Sequence, residues 1–282
     1  MAVPIITIEN AWGEVLNLSA DPRYAATLNG TGPTSATINR AKVAVADGTH
    51  YNSATADERN LLLTVYLQRD IGRARRNLYR WLTSKQYIKV YYQEDDLNVY
   101  VEGYVETAEV NPWEQNQNVA ASIICPMPYW RDVKETYTDA SKSQNLLEFA
   151  FAIEETGVEL SISDKTRSTI IRNSGTVETG ATFVLIATTL VDSPRIYDMG
   201  TGSFIGFDVL LEPGDRLEVC TITGKKRVSH IRAGVQSNYI NTVMDGSEWL
   251  QMAPGANEYS YTVEENGECQ LGIYHTNMYA GV

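Results

Sequence analysis

Apolar and polar residues alternate with a period of two along most of this chain, and one stretch breaks that rhythm. Residues 3–8 and 13–18 read as a pair of strands joined by a short turn at Glu9–Trp12. Asp21 to Thr37 is rich in Gly, Thr, Ser and Asn, carries Pro22 and Pro33, and reads as a long loop or arm. Residues 36–46 read as a strand, and Asp47–Asp57 (DGTHYNSATAD) as a second polar loop. Two long loops around one strand suggest surfaces that order against a partner. Leu61, Leu63, Val65 and Leu67 then alternate as a strand.

The break falls at Asp70–Lys85 (DIGRARRNLYRWLTSK). At a helical spacing of about 100° per residue, Ile71, Ala74, Leu78, Trp81 and Leu82 share one face, and Arg69, Arg73, Arg76 and Arg80 share the opposite one. Asp70 is the expected N-cap, and Lys85 places positive charge near the C-terminal end. Alternation resumes at Ile88, Val90 and Tyr92, turns at Gln93–Leu97 (QEDDL), and continues with Val99, Val101 and Val105 between Tyr100, Glu102, Tyr104 and Glu106. Asn111-Pro112-Trp113 interrupts it before Val119, Ala121, Ile123 and Cys125. Two prolines in Cys125–Trp130 (CPMPYW) end the strand, and Arg131–Asn145 reads as a polar linker.

From Leu146 onward short apolar runs (147–153, 158–163, 168–172, 181–190, 204–211, 216–223, 259–263, 269–275) are separated by turn signals. These include Asn173-Ser174-Gly175, Pro213-Gly214-Asp215, Thr223-Gly224-Lys225, Asp245-Gly246, Pro254-Gly255 and Asn266-Gly267. That spacing predicts an antiparallel sandwich. The expected fold is mainly β. Residues 1–130 form a β-barrel-like domain with one α-helix packed on it, 131–145 a linker, and 146–282 a β-sandwich.

Charge sharpens the division. The 282 residues carry a formal charge of −12. Through Trp130 there are 11 Lys and Arg against 14 Asp and Glu, and from Arg131 onward 12 against 21. The halves are therefore differently employed. Polyanions are repelled by the whole, and apart from the arginine stripe the only basic cluster is Lys225-Lys226-Arg227, in a hairpin turn. Sequence-specific nucleic-acid binding is not expected. Cys125, Cys220 and Cys269 are too few and scattered for a disulfide framework, and Cys125 and Cys269 continue apolar rows as buried thiols. The N-terminus MAVPIITIEN lacks the basic start and apolar run of a signal peptide, and no stretch is apolar enough to span a membrane. The chain reads as soluble and synthesised in the cytoplasm.

No catalytic constellation emerges. His50, His230 and His275 stand apart, without metal-ligand spacing, and there is no nucleophile elbow or Gly-rich phosphate loop. Glu94-Asp95-Asp96 lies in a turn. Glu154-Glu155 and Glu264-Glu265 are adjacent pairs that point to opposite faces of a strand, so neither pair can act on one bond. No metal or cofactor is implied. Trp249, Tyr259, Tyr261, Tyr274 and Tyr279, in the second domain, leave a carbohydrate-binding sandwich that attaches to a cell wall as an alternative.

Taken in order, these motifs resemble the distal tail protein family of long-tailed (siphovirus-type) bacteriophages. The first half carries the resemblance in Arg59–Leu67, the arginine helix, Tyr87–Glu106, Asn111-Pro112-Trp113 and Cys125–Trp130. The second carries it in Ile171–Gly175, Ser193-Pro194-Arg195-Ile196, Leu211–Asp215, Thr223-Gly224-Lys225, Ser247–Leu250, Pro254–Asn257 and Tyr279-Ala280-Gly281-Val282. The resemblance implies a structural virion protein of the tail tip, not an enzyme. Its first domain would form a homo-hexameric ring between the tail tube protein, with its tape-measure protein, and the baseplate hub or tail-associated fibre protein. Its second would be a galectin-like sandwich docking receptor-binding or peripheral baseplate proteins. The carbohydrate module inserted in some relatives has no room in this chain. A closed ring needs two complementary patches on one subunit. The expected pair is Arg69, Arg73, Arg76 and Arg80 against Tyr100, Glu102, Tyr104 and Glu106.

Overall fold

Alternation becomes a strand wherever one side of the ladder meets a core. In the computed structural model, which describes residues 3–43, 47–110, 112–113, 116–140, 167–263 and 267–282, this happens around two separate cores. The chain divides into two units, Met1–Val133 with Met278–Val282, and Lys134–Asn277.

The first unit runs β1 (Ile5–Asn10), β2 (Val15–Asn17), β3 (Tyr24–Asn29), β4 (Ala36–Lys42), β5 (Thr49–Ala56), β6 (Arg59–Leu67), α1 (Ile71–Leu78), β7 (Tyr87–Glu94), β8 (Leu97–Val110), β9 (Asn118–Cys125) and β10 (Trp130–Asp132). Its main sheet is antiparallel, in the order β2-β1-β7-β8-β9-β6-β3, with β10 paired to β8. Ile8, Leu61, Leu63, Val65, Ile88, Val90, Val99, Val101, Val119 and Ile123 all point inward and are buried, together with Leu78 and Leu82. Position 103 continues the inward row of β8 but holds glycine. A Cβ there would lie 2.8 Å from Cys125 Sγ and from the Ile124 carbonyl oxygen, so the neighbouring strand leaves no space. Past this point β8 carries an irregularity between Val105 and Thr107 that shifts its register on β9.

Two expectations for this unit fail. Asp21–Thr37 is not all loop, because β3 lies within it and pairs with β6 from Tyr24↔Leu67 to Asn29↔Leu62. Asp47–Asp57 is largely strand, since β5 pairs with β4 from Ala36↔Ala56 to Lys42↔Thr49. Every residue of both strands is exposed. β4 lies within the strand expected over residues 36–46; β5, with water on both faces, requires no apolar alternation, and its sequence shows none.

The second unit contains β11 (Thr136–Asp139), β12 (Arg167–Asn173), β13 (Thr179–Ala187), β14 (Val191–Asp192), β15 (Arg195–Asp198), β16 (Phe204–Gly206), β17 (Leu210–Leu211), β18 (Arg216–Cys220), β19 (Arg227–Arg232), β20 (Val235–Asn238), β21 (Gln251–Met252), β22 (Gly255–Thr262) and β23 (Cys269–His275). One sheet has the order β11-β23-β13-β18-β19-β20, a second β12-β22-β15-β16. Phe183, Leu185, Leu217, Leu271 and Ile273 of the first share a core with Ile171, Ile196, Ile205, Tyr259 and Tyr261 of the second. Phe183 meets Tyr259 edge-on, with ring centroids 5.3 Å apart. The expected mainly-β class is thus found, with antiparallel sheets throughout. Gly214 and Gly224 have φ of 92° and 81°, the left-handed backbone that their turns require. The segment expected as a linker instead holds β10 and β11; its remainder, 141–145, and the expected runs 147–153 and 158–163 lie outside the described residues.

The last strand, β24 (Met278–Tyr279), pairs with β10 and belongs to the first unit, not to the sandwich where the sequence reading put Tyr279. What holds this tail is Arg59, whose side chain is fully buried. Its Nε donates to the Pro128 carbonyl at 2.6 Å, its Nη1 to those of Gly30 and Gly32 at 2.5 and 2.7 Å, and its Nη2 to that of Ala280 at 2.7 Å. The guanidinium lies 5.4 Å from the centre of the Trp130 ring, and Trp130 Nε1 donates to the Thr31 carbonyl at 3.1 Å. Val282 N reaches the same carbonyl at 3.0 Å. Burial lowers the guanidinium pKa, and the four carbonyls offset that loss of hydration.

An ion cluster built on the buried Asp215 plays a similar part in the second unit. Asp215 accepts Arg232 Nε and Nη2, with the shortest contact 2.5 Å, and the Glu212 amide at 2.9 Å. His230 Nε2 lies 3.1 Å from the same carboxylate. Arg232 above all holds the Asp215 carboxyl down to about 2.

Two outcomes follow from these buried polar groups. Arg59→Leu strands four buried carbonyls, so it should lower the stability of the first unit by about 3 kcal/mol or more, while Arg73→Leu, on an exposed face, should stay within about 0.5 kcal/mol. Denaturant midpoints followed by tryptophan fluorescence measure both. Because the folded pKa of Asp215 is depressed, its contribution is present above the unfolded value near 3.8 and is lost as pH falls toward about 2. Asp215→Asn should therefore flatten the pH dependence of stability across that window, read from thermal midpoints between pH 5 and 2.

Candidate assembly interface

The helix is shorter than its periodicity predicts. α1 ends at Leu78, and the next turn tightens, with Arg80 N bonded to Asn77 O and Trp81 N to Leu78 O. Lys85 adopts φ 71° and its amide joins the Val105 carbonyl at 2.7 Å, which commits the chain to β7. Asp70 stands at the N-cap but in left-handed backbone (φ 48°) and without a capping side-chain bond. The apolar face is as expected: Ala74, Leu78, Trp81 and Leu82 are buried in the first core. Trp81 Nε1 donates to the Glu14 carbonyl at 3.1 Å, and Tyr24 Oη to that of Ala74 at 3.1 Å.

The four expected arginines separate into two groups. Arg80 is engaged, pairing with Glu14 and lying 5.6 Å from the Trp81 ring centre. Arg69, Arg73 and Arg76 are exposed and make no ion pair among the described residues. Sequence reasoning omitted Arg75, which donates to Gln117 Oε1 at 2.9 Å and ties the helix to the segment before β9.

The β8 set is also divided, because β1, β7, β8 and β10 lie side by side and their outward residues meet. Glu9 is 3.9 Å from Lys89, and Glu102 is 3.9 Å from Arg131. Lys89 faces Glu102 across the ladder and lies 5.7 Å from the Tyr100 ring centre. Tyr91 donates to Glu9 at 2.5 Å and Tyr87 to Glu102 at 2.9 Å. Burial, then those carboxylates, raises both phenol pKa values, so the hydroxyls remain donors. Tyr100 packs on Tyr91, with ring centroids 5.8 Å apart. Tyr100 and Glu102 are thus engaged within the subunit. Tyr104 is half exposed beside Tyr87, and Glu106, exposed at the irregularity, accepts the Ser122 hydroxyl at 2.8 Å. No hydrogen bond or ion pair among the described residues joins the arginine set to the β8 set within one copy.

The strand with flanking polar segments that the sequence suggested would order against a partner is the β4–β5 hairpin. Its base is firm: Asp57 accepts Ser35 Oγ at 2.8 Å and Thr37 Oγ1 at 2.9 Å, and its amide reaches the Ser35 carbonyl at 2.9 Å. Along β4, Ile38, Arg40 and Lys42 share a face with Tyr51 and Thr49 of β5.

Among the described residues, no group of three or more His, Cys, Asp or Glu is placed to hold a metal, and no helix is long and apolar enough to cross a membrane. Burial pushes the Cys125 thiol up to about 12, which keeps it protonated. Tyr259 and Tyr261 are core residues, Tyr274 stacks on Tyr137, and Lys226 lies 5.4 Å over the Trp249 ring. None of these four offers an open stacking platform.

No protein-family model matches the chain, and no curated protein does. Solved structures do. The chain is similar to the crystal structure of the SPP1 Dit (gp 19.1) protein, described as a paradigm of the hub adsorption apparatus in Gram-positive infecting phages, with TM-score 0.68 and 15% identity over 97% of this chain and 98% of that one. It is also similar to a chain of the phage P2 baseplate in its activated conformation with calcium (TM-score 0.55, 11% identity, 100% of both chains). The strontium form of that baseplate gives TM-score 0.53 and 9% identity, over 96% of this chain and 98% of that one. The resemblance read from the sequence is therefore borne out in the fold: from end to end, this chain is folded like a phage hub adsorption protein.

Proposed function

We propose that this protein is a structural component of a phage tail tip, working by assembly and not by catalysis. One observation carries the reading, the likeness in fold to the SPP1 Dit protein over 97% of this chain and 98% of that one. In this reading residues 1–130 form a hexameric ring of identical subunits between the tail tube, with its tape-measure protein, and the baseplate hub or tail fibre. The sandwich docks receptor-binding or peripheral baseplate proteins.

The surface chemistry is compatible with that role. Arg69, Arg73 and Arg76 leave three guanidiniums free for bidentate pairing with a neighbour. Tyr104 and Glu106 are the exposed members of the β8 set, so they are the residues of that set to meet them across a subunit boundary. A heterologous contact of this kind closes into a ring when its rotation divides a full turn.

Native mass spectrometry tests the reading directly. The expected species has a mass near six times 31.4 kDa. Arg73→Glu with Arg76→Glu should raise the concentration for half-assembly by about tenfold, through like-charge contacts at the boundary. A hexamer that survives this double change unaltered would show that the arginine face does not hold the ring together.

A further inference from the structure

The β4–β5 hairpin presents a physical problem. Its two strands, seven and eight residues long, have both faces in solvent, whereas an isolated hairpin in water is marginal. Ile38 and Tyr51 stand 58% and 60% exposed on it. Its root, in contrast, is held by the Asp57 bonds and by the Arg59 clamp on Gly30 and Gly32. Firm anchoring of an element that packs on nothing suits a surface to be covered by a partner.

Charge indicates which partner. The strands Ala36–Lys42 and Thr49–Ala56 hold Arg40 and Lys42 and no carboxylate, in a chain of net charge −12; the one carboxylate of the hairpin, Asp47, lies in the segment that joins them. Arg40 and Lys42 make no hydrogen bond or ion pair among the described residues, and they share their face with Ile38 and Tyr51. An apolar, aromatic and Arg-bearing patch has the composition of an interface core. The matching surface is on the same unit. Glu94-Asp95-Asp96 is the longest run of consecutive carboxylates in the chain. It lies at the β7–β8 turn, where Asp95 holds a left-handed backbone (φ 49°) and Asp95 and Asp96 are exposed. Neither is in an ion pair among the described residues, whereas Glu94 is occupied by the Tyr92 hydroxyl at 2.6 Å. Two cations on one presented hairpin and two anions on another are unmatched within a copy. They can match between copies.

We infer that the β4–β5 hairpin is an assembly arm that docks on the Asp95–Asp96 turn of a second copy of this chain. The arm supplies Arg40 and Lys42 to the two carboxylates, and Ile38 and Tyr51 bury apolar surface beside them. The inference rests on the ring reading above and names a contact that would hold the ring.

The test uses the full chain and compares half-assembly concentrations by sedimentation velocity. Arg40→Glu with Lys42→Glu, and separately Asp95→Lys with Asp96→Lys, should each raise that concentration by about tenfold. The quadruple variant, with acidic arm and basic turn, should restore it. Thermal midpoints compared at concentrations where every variant and the parent are single copies should agree, because neither set packs on its own core. If the parent chain stays single at every concentration, the ring reading falls and the arm assignment with it. If the parent assembles but the arm pair has no effect, or the quadruple variant fails to restore assembly, the assignment of the arm to a second copy is wrong while the ring stands. Loss of binding to another tail component with self-assembly intact would overturn it equally.

Discussion

A guanidinium removed from water needs acceptors for its N–H groups, and at Arg59 they are four main-chain carbonyls from three distant segments. The loop after β3, the loop before β10 and the closing tail are drawn to one point. None of these segments has a regular ladder of its own at that place, so the side chain supplies the order that secondary structure does not. A lysine, with a compact ammonium in place of the planar fork, could not reach all four in this geometry. Because the tail at Ala280 is among the acceptors, a residue near position 280 sits within the unit built mainly from the first 133. The same clamp fixes the root of the β4–β5 hairpin, so the rigidity of a buried site is passed to an exposed element.

The outer face of the sheet obeys a complementary rule. Glu9, Lys89, Glu102 and Arg131 alternate in sign across neighbouring strands, with Tyr87 and Tyr91 donating into the carboxylates. Such a face satisfies itself. Among the described residues, groups that make no ion pair are Arg69, Arg73 and Arg76 on the helix, Arg40 and Lys42 on the hairpin, and Asp95 and Asp96 on the turn. In the proposed reading, partner choice rests on these unpaired groups.

Much of this was legible in the sequence, for reasons specific to each element. β6, β7, β8 and β9 each bury one side, so their alternation is strong, and the amphipathic stripe of α1 placed Trp81 and Leu82 correctly in the core. The helix length was not legible: α1 gives way to a tightened turn after Leu78, and the Lys85–Val105 bond that leads the chain into β7 is tertiary. β3 was obscured by Pro22 and Gly30 on either side of a short alternation. β4 was read as a strand, but β5 left no periodic trace, since neither of its faces has a core to meet. Of the candidate interface, the residue types were readable but not their availability: Arg80, Tyr100 and Glu102 find partners within the subunit only once β1, β7 and β10 are brought alongside. Arg59 reads as the first residue of a strand, and nothing local announces that its acceptors lie as far away as Ala280.

Assembly into a ring is the claim on which the functional account depends. Electron cryo-microscopy of the purified full-length protein, imaged across a range of concentrations, tests it most directly. The account predicts closed rings of identical subunits with the first unit forming the wall. Particles that remain single copies at every concentration would contradict it.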